Sequence, residues 1–498
     1  MKRLLFVLSF IVIILWLMYP VDDKTSSKEK LSKTEIRWDW DLIEPININD
    51  FKFPKGFLWG VATSAHQVEG NCNCQWVDFE RKHNLQSSGS ACEHYSRYKE
   101  DIELMKYLGI NAYRFSIEWS KVEPIQGYFN QDVIQHYHEV IDELLKNNIL
   151  PVITLHHFTH PVWFENKGAF EKEENIKYFV RFCKKMFSEY SSKVSMWCTI
   201  NEPGVYAFQG YLHGNFPPAK CDLQLMGIVS KNLILAHIEV FKALKTMKNG
   251  NRSKIGICHS ITQFDPYHPG NKIEEFVTYY INHVFYDAMM QFFITGKFKF
   301  TAPKILQIIL SNLDCSSPFS MLSCLKFNPD IDYSYENKEG KYVVTDILDF
   351  FGIQPYSHVL IDYTNTRADK NPSLRKGDIL TDMPYCIYPE SLYRAAIHAS
   401  LIGVPIYITE NGISDCTDNN RELYIRRYIY SMHKAIEDGC DIRGYFYWSL
   451  LDSFEWHMGY EQKFGLYEVD FNTQKRTLKN GAKIYRDIVQ NYINQLHS

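Results

Sequence analysis

The chain has 498 residues, 45% hydrophobic and 22% charged, which excludes a disordered or fibrous protein and leaves room for one large barrel or two smaller domains. A net charge of -4 offers no broad basic surface, so no nucleic-acid partner is expected. Aromatic residues make up 15%; an aromatic-rich core accounts for most of this, and the remainder suits a carbohydrate cleft, because sugar rings have apolar faces that lie on aromatic rings.

In chain order, Met1, Lys2 and Arg3 precede an apolar run at 4–19 broken only by Ser9, followed by Pro20, Asp22 and Asp23. The run is slightly short of the ~20 residues of a full membrane span, and no small-x-small cleavage site follows it. Residues 1–20 therefore read as a cleaved signal peptide or a retained signal anchor. With Lys2 and Arg3 on the cytoplasmic side, the rest of the chain would be exported, either secreted or tethered to a membrane through residues 4–19. Residues 21–50 are polar and aperiodic and read as a tether.

From residue 51 onward, β-prone apolar runs alternate with helical stretches. The runs lie at 57–63, 112–117, 151–155, 195–200, 254–259, 349–354, 405–409 and 442–448, which predicts about eight strands. Between them Tyr98, Ile102, Met105 and Leu108 form one helical stripe, Val133, Tyr137, Val140, Ile141 and Leu144 another, and Ile176, Phe179, Val180, Cys183 and Phe187 a third. Strands separated by helices call for parallel pairing with right-handed crossovers, and eight such units close into a ring. The predicted fold of residues 51–498 is a single (β/α)8 TIM barrel with loop insertions at its C-terminal face. No glycine-rich phosphate loop follows the first strand, which argues against an open doubly wound sheet. The segment 301–344, with Pro, Asn and Asp clusters, reads as an insertion over the mouth.

Twelve cysteines are scattered rather than set out as a metal framework. Cys72 and Cys74 near Cys92, and Cys315 near Cys324, are disulfide candidates against free thiols, since spacing does not fix connectivity. His156 and His157 are adjacent on a predicted strand and point to opposite faces, which weakens metal ligation with His160. No metal and no cofactor is expected.

Two carboxylates carry the chemistry. Glu202 ends the fourth predicted strand and is followed by Pro203; Glu410 ends the seventh and is followed by Asn411 and Gly412. The breakers lift each carboxylate out of the sheet, and every strand of an α/β barrel delivers its C-terminal end to one shared mouth. Two facing carboxylates are the minimal machinery for splitting a glycosidic bond.

In these surroundings the chain resembles glycoside hydrolase family 1, the β-glucosidase family. The resemblance rests on FPKGFLWGVATSAHQVEG at 53–70, YRFSIEWSKVEP at 113–124, TLHHFTHP at 154–161, TINEP at 199–203, YITENG at 407–412 and WSLLDSFEW at 448–456, in order and covering nearly all of residues 53–485. It implies that Glu202 is the general acid/base, that Glu410 is the nucleophile, that Arg114 keeps Glu410 ionised and that Tyr356 hydrogen-bonds the same carboxylate. It also places Gln67, His157, Asn201, Trp448, Glu455 and Trp456 at glycone-binding positions, with Asn201 beside the 2-hydroxyl.

The implied function is hydrolysis of small O-linked β-D-glycosides or oligosaccharides by a retaining double displacement, β-glucosidase-like, with galactosides and fucosides as further substrates. Two alternatives are a transglycosylase passing the sugar to a glycolipid-type acceptor and a non-catalytic sugar-binding relative. Glu455 stands where the phospho-glycosidase branch has a serine and lysine arrangement, which points to an unphosphorylated sugar, and Glu202 stands where thioglucosidases carry Gln. Departures from the family pattern are Gln354-Pro355 for Asn-Tyr, His66 for Tyr or Phe, and Phe158-Thr159-His160 for Trp-Asp-Leu. They alter the wall of the pocket without removing a carboxylate.

Overall fold

The computed structural model describes residues 26–43, 47–301, 330–365 and 372–497. Eight parallel strands close into a barrel: β1 Leu58–Ala62, β2 Ala112–Ser116, β3 Leu150–His156, β4 Met196–Asn201, β5 Lys254–Ser260, β6 Phe350–Gln354, β7 Ile406–Asn411 and β8 Ile442–Trp448. Each predicted run coincides with one of them. The ring closes where β1 pairs β8, with Gly60 opposite Phe446. Gly60 is required there: a Cβ would sit 2.5 Å from the Phe446 ring and 2.7 Å from the Ala112 carbonyl.

Strands buried on both faces explain the near-continuous apolar runs. Inward side chains, among them Ala62, Ala112, Val152, Met196, Phe350 and Phe446, fill the barrel interior. The outward ones pack against the helices in a larger core. The three predicted stripes are the buried faces of helices α1 His94–Leu108, α2 Gln131–Lys146 and α3 Ile176–Tyr190. In α2 the Asn130 side chain accepts the Asp132 and Val133 N–H groups, satisfying two donors a helix start leaves unpaired. Ile134, Tyr137, Val140, Ile141 and Leu144 are buried, each worth about 1.5–3 kcal/mol, and Val133 and Val180 are half-buried at the stripe edges.

The pairing register slips between Cys198 and Asn201 on β4, and again at Ile408 and Asn411 on β7. Such irregularities re-aim side chains, and these two lie at the ends that bear Glu202 and Glu410.

Three expectations are corrected or fall outside. The segment that composition reads as a tether is docked on the barrel from Ser27 on. A helix, Ser27–Lys33, is capped by Ser26, Lys33 pairs with Asp287 at 3.0 Å, and Trp38 packs edge-on against Tyr393 and Tyr430. Lys33, Glu35 and Arg37 find opposite charges on the barrel in Asp287, Arg375 and Asp378, which polarity alone does not reveal.

Cys72, Cys74 and Cys92 are free thiols. Cys92 Sγ lies 3.1 Å from the Asp452 carbonyl, Cys74 Sγ 3.5 Å from His66 Nδ1, and Cys72 Sγ 3.8 Å from the Gly70 carbonyl.

The apolar run at 4–19, Cys315, Cys324 and the body of the 301–344 insertion lie outside the described residues. The described ends of that insertion form an antiparallel pair, Lys297–Thr301 with Asp330–Ser334. Its Phe300 and Ile331 press on Gly227 of helix α4, Leu223–Lys245.

Candidate active site

Glu202 follows β4 and keeps one ladder bond, donating its N–H to the Cys258 carbonyl of β5 at 2.8 Å. Its backbone then turns left-handed, φ 42° and ψ 61°, a conformation that costs a non-glycine residue roughly 1–2 kcal/mol. Pro203 opens a short helix, Pro203–Phe208, where its fixed φ fits and its missing N–H is no loss. The next residue is necessarily glycine: a Cβ on Gly204 would lie 2.2 Å from the Phe285 carbonyl. Turn, proline and close approach together swing the carboxylate out of the sheet.

Glu410 is still within β7. Asn411 anchors it: its amide donates to the Pro355 carbonyl at 2.5 Å and to Tyr424 at 2.8 Å, and its Oδ1 accepts Tyr445 OH at 2.8 Å. Both oxygens of Glu410 are engaged, Oε1 by Arg114 Nη1 at 2.6 Å and Oε2 by Tyr356 OH at 2.8 Å. Arg114, fully buried, also donates to Asn201 Oδ1 at 2.5 Å. That oxygen receives Gln354 Nε2 at 2.8 Å, so Gln354, where the family pattern has Asn, still serves the network. The Asn201 amide donates to His157 Nε2 at 3.1 Å, which leaves the proton of a neutral imidazole on Nδ1, an atom with no protein partner.

Glu202, Glu410 and Glu455 line one cavity of ≈ 190 Å³, with Tyr356, His157, Trp448 and Trp456 on its wall. Gln67, Asn201 and Arg114 stand one layer behind. Gln67 is saturated, its amide donating to the Phe454 carbonyl at 2.6 Å and to Glu455 at 3.1 Å while its oxygen accepts from Ser64 at 2.7 Å. Its part is to orient Glu455. The aromatic wall is layered: His157 stacks on Trp448 and Trp456, and His66 stacks on Trp456 with centroids 5.6 Å apart. His66, in place of the family aromatic, is a flat ring backing the same Trp. A larger cavity of ≈ 620 Å³ lies beneath the N-terminal segment, bordered by Glu35, Arg37, Trp38 and Trp40; it holds none of the paired carboxylates.

Electrostatics separate the two glutamates. Burial pushes the Glu202 carboxyl well above the usual range, and the charge of Glu410 adds to it. Burial also raises Glu410, but the Arg114 guanidinium and the Tyr356 hydroxyl pull it back. Of the two, Glu202 keeps the proton. Glu455 is raised to about 8 by burial and the charge of Glu410. Burial, with Arg114 nearby, holds His157 well below the ordinary imidazole value, so it is neutral. This arrangement can present a proton and a nucleophile to one bond, and a dry polar wall to a ring bearing hydroxyls.

Near the wall His66, Cys72 and Glu118 bring ligand atoms within 4.8 Å of one another. Both Glu118 oxygens already accept hydrogen bonds, from Ser120 and Thr159, which any bound cation would have to share.

Sequence reasoning did not single out Ser260 at the end of β5, Thr262 just after it, Met383 and Tyr385, or Phe464, all on the cavity wall. Ser260 sits at a predicted strand's mouth end and could have been found so. Met383 and Tyr385 come from a hairpin with no periodic signal.

The family model for glycosyl hydrolase family 1 matches residues 49–493. β-Glucosidase A of Thermotoga maritima is 32% identical over 468 residues, covering 89% of this chain and 99% of that protein. The 6-phospho-β-galactosidase of Clostridium acetobutylicum is 30% identical over 481 residues, covering 88% and 96%. Among solved structures, β-glucosidase from Thermotoga maritima in complex with castanospermine superposes with a TM-score of 0.74 at 30% identity, covering 89% and 99% of the two chains.

Proposed function

The chain belongs to glycosyl hydrolase family 1, and from that premise we propose that Glu202 and Glu410 carry a retaining hydrolysis of O-linked β-glycosides. The observation behind it is the shared cavity in which one carboxylate is protonated and the other is held by Arg114 and Tyr356. Glu410 attacks the anomeric carbon while Glu202 gives its proton to the departing oxygen, leaving a glycosyl ester on Glu410. The ester carries no charge, so the electrostatic pressure on Glu202 falls and it ionises. It then takes a proton from water, whose oxygen attacks the anomeric carbon and frees the sugar and Glu410.

Asn201, pinned by Arg114 and Gln354 behind the cavity wall, orients His157, to whose Nε2 its amide donates. Glu455, oriented by Gln67, and His157 address the sugar's hydroxyls, and Trp448 and Trp456 the apolar ring face. The described residues lining the cavity include no Lys or Arg but three carboxylates, and the Lys463 ammonium lies over the Phe471 ring, 5.1 Å from its centroid. A phosphorylated sugar would find no counter-charge, so the preferred sugar is neutral, unlike the one for which the Clostridium relative is named. Export, with or without a retained anchor, is supported by the apolar run at 4–19 and is read out by N-terminal sequencing and by extraction from membranes.

Release of nitrophenol from aryl β-glucosides, β-galactosides and β-fucosides tests the activity, and absence of turnover with all three by folded protein overturns it. Trapping with a 2-fluoro glycoside followed by peptide mapping locates the nucleophile; a label anywhere but Glu410 removes that residue from its role.

A further inference from the structure

Residues 26–43 precede the family match at 49–493, yet they reach the wall of the catalytic cavity through a hairpin and, beside it, through His358, whose Nε2 lies 3.2 Å from Arg37 Nη2. That hairpin, residues 379–387, is closed by Ile387 N–H donating to the Ile379 carbonyl at 2.8 Å and Thr381 N–H to the Tyr385 carbonyl at 3.1 Å. Its tip places Met383 and Tyr385 on the cavity.

The hairpin's base is gripped from outside. Arg37 pairs with Asp378 through both guanidinium nitrogens. Glu35 pairs with Arg375, at 2.8 Å from Nη2 and 3.3 Å from Nε, and Arg375 N–H donates to Asp378 at 2.7 Å, so the two ion pairs form one network. At the other foot Tyr388 OH donates to the Ile36 carbonyl at 2.6 Å and accepts the Ile36 N–H at 3.2 Å. Arg37 also lies over the Tyr388 ring at 5.0 Å. The Asp378 side chain is 3% exposed and that of Arg37 36%, so the carboxylate is sheltered while solvent reaches the guanidinium from one side. From the barrel side the hairpin is tied at its tip, by Asp382 to Ser414 and Cys416, and behind Tyr388, by Tyr428.

We propose that residues 35–38 are a positioning clamp, which fixes the hairpin 379–387 and so sets the shape of the cavity wall at Met383 and Tyr385. This rests on the glycosidase reading of that cavity. Glu35 and Arg37 do not line the catalytic cavity and act through Arg375, Asp378 and Tyr388. A hairpin freed at its base would relax substrate fit at the tip and leave Glu202 and Glu410 on their own strands. The signature is therefore in KM rather than kcat.

The test uses the full chain with Arg37→Ala, Glu35→Gln and Arg37→Lys, each measured for kcat and KM on an aryl β-glucoside, for thermal unfolding, and for hydrogen–deuterium exchange of peptides covering 372–388. Arg37→Ala and Glu35→Gln are expected to raise KM about 3- to 10-fold with kcat within about 2-fold, and to speed exchange at 372–388, because misplacing a substrate contact costs fit before chemistry. Arg37→Lys, which keeps the charge, recovers part of the KM. Unchanged KM and exchange in folded Arg37→Ala overturns the clamp, as does a loss of kcat that only follows a lowered Tm. A parent protein with no turnover would instead count against the activity itself, and the exchange data would still report whether the clamp holds the hairpin.

Discussion

Arg114 and Glu410 are 296 residues apart in the chain and 2.6 Å apart in the barrel. The pair is buried, and a buried pair is held by what it organises as much as by its own attraction, since desolvating two charges offsets most of the Coulombic gain. Here the guanidinium also fixes Asn201, so one side chain holds both the Glu410 carboxylate and the Asn201 amide in place.

The pH dependence of kcat/KM should be bell-shaped. Glu410 must be ionised and burial raises it above its ordinary 4.5, so activity falls as pH drops through that raised value. Glu202 must be protonated and lies well above the usual range, so activity falls again as pH rises through its own value. Removing the opposing cation in Arg114→Met moves the acid limb to higher pH, because only the Tyr356 hydroxyl then opposes protonation of Glu410. A pH–rate series on a non-ionising substrate checks both limbs. An acid limb that moves downward would contradict the role of Arg114.

Tyr356→Phe removes one hydrogen bond to a charged oxygen at Glu410. Such bonds are worth about 1.5–3 kcal/mol, so kcat/KM should fall roughly 10- to 100-fold with a near-native Tm. Steady-state kinetics and calorimetry together decide it; a loss below about 2-fold would mean that the hydroxyl does not orient the nucleophile.

Glu202→Gln should abolish acid assistance and, at alkaline pH, stabilise the fold. A carboxyl whose value is raised on folding adds stability that is complete below its unfolded value and is lost as pH rises to the folded value. The parent's Tm should therefore decline between weakly acidic and alkaline pH more steeply than that of the variant. The rate loss expected is about 10²- to 10⁴-fold on substrates with poor leaving groups. Parallel Tm curves would show that Glu202 is not strained by ionisation.

Gly204→Ala drives a methyl group to 2.2 Å from the Phe285 carbonyl. Overpacking of this kind costs about 1–3 kcal/mol, and the shift is transmitted to the turn bearing Glu202. Lower Tm together with lower kcat is expected; a variant with native Tm and full activity would show that the helix after Glu202 has room to move.

The barrel was legible because its strands are buried on both faces: Met196, Trp197, Cys198, Thr199, Ile200 and Asn201 are all buried, and such runs read as strands without alternation. Pro203 and Gly412 likewise flagged the two glutamates, because chain breakers follow from local stereochemistry. Partners distant in sequence were not legible. Lys33, Glu35 and Arg37 look like solvated charges until Asp287, Arg375 and Asp378 arrive from the other end of the chain. Cys72 and Cys74 both lie against His66, whereas Cys92 meets the Asp452 carbonyl, a partner far off in sequence. Met383 and Tyr385 reach the cavity by a hairpin whose path depends on contacts rather than on pattern, and residue type alone could not show that Gln67 and Asn201 stand behind the cavity wall.

The ring order places β4 and β7 with two strands between them on one side and four on the other. The shorter arc, β4 to β7, carries both carboxylates, but the cation at Glu410 comes from β2 and Trp448 from β8, on the longer arc, so the site is complete only once the seam between β1 and β8 is zipped. Turnover is thus an all-or-nothing report of complete circularisation: during refolding, helical signal can return arc by arc, whereas catalysis reappears with the final stave.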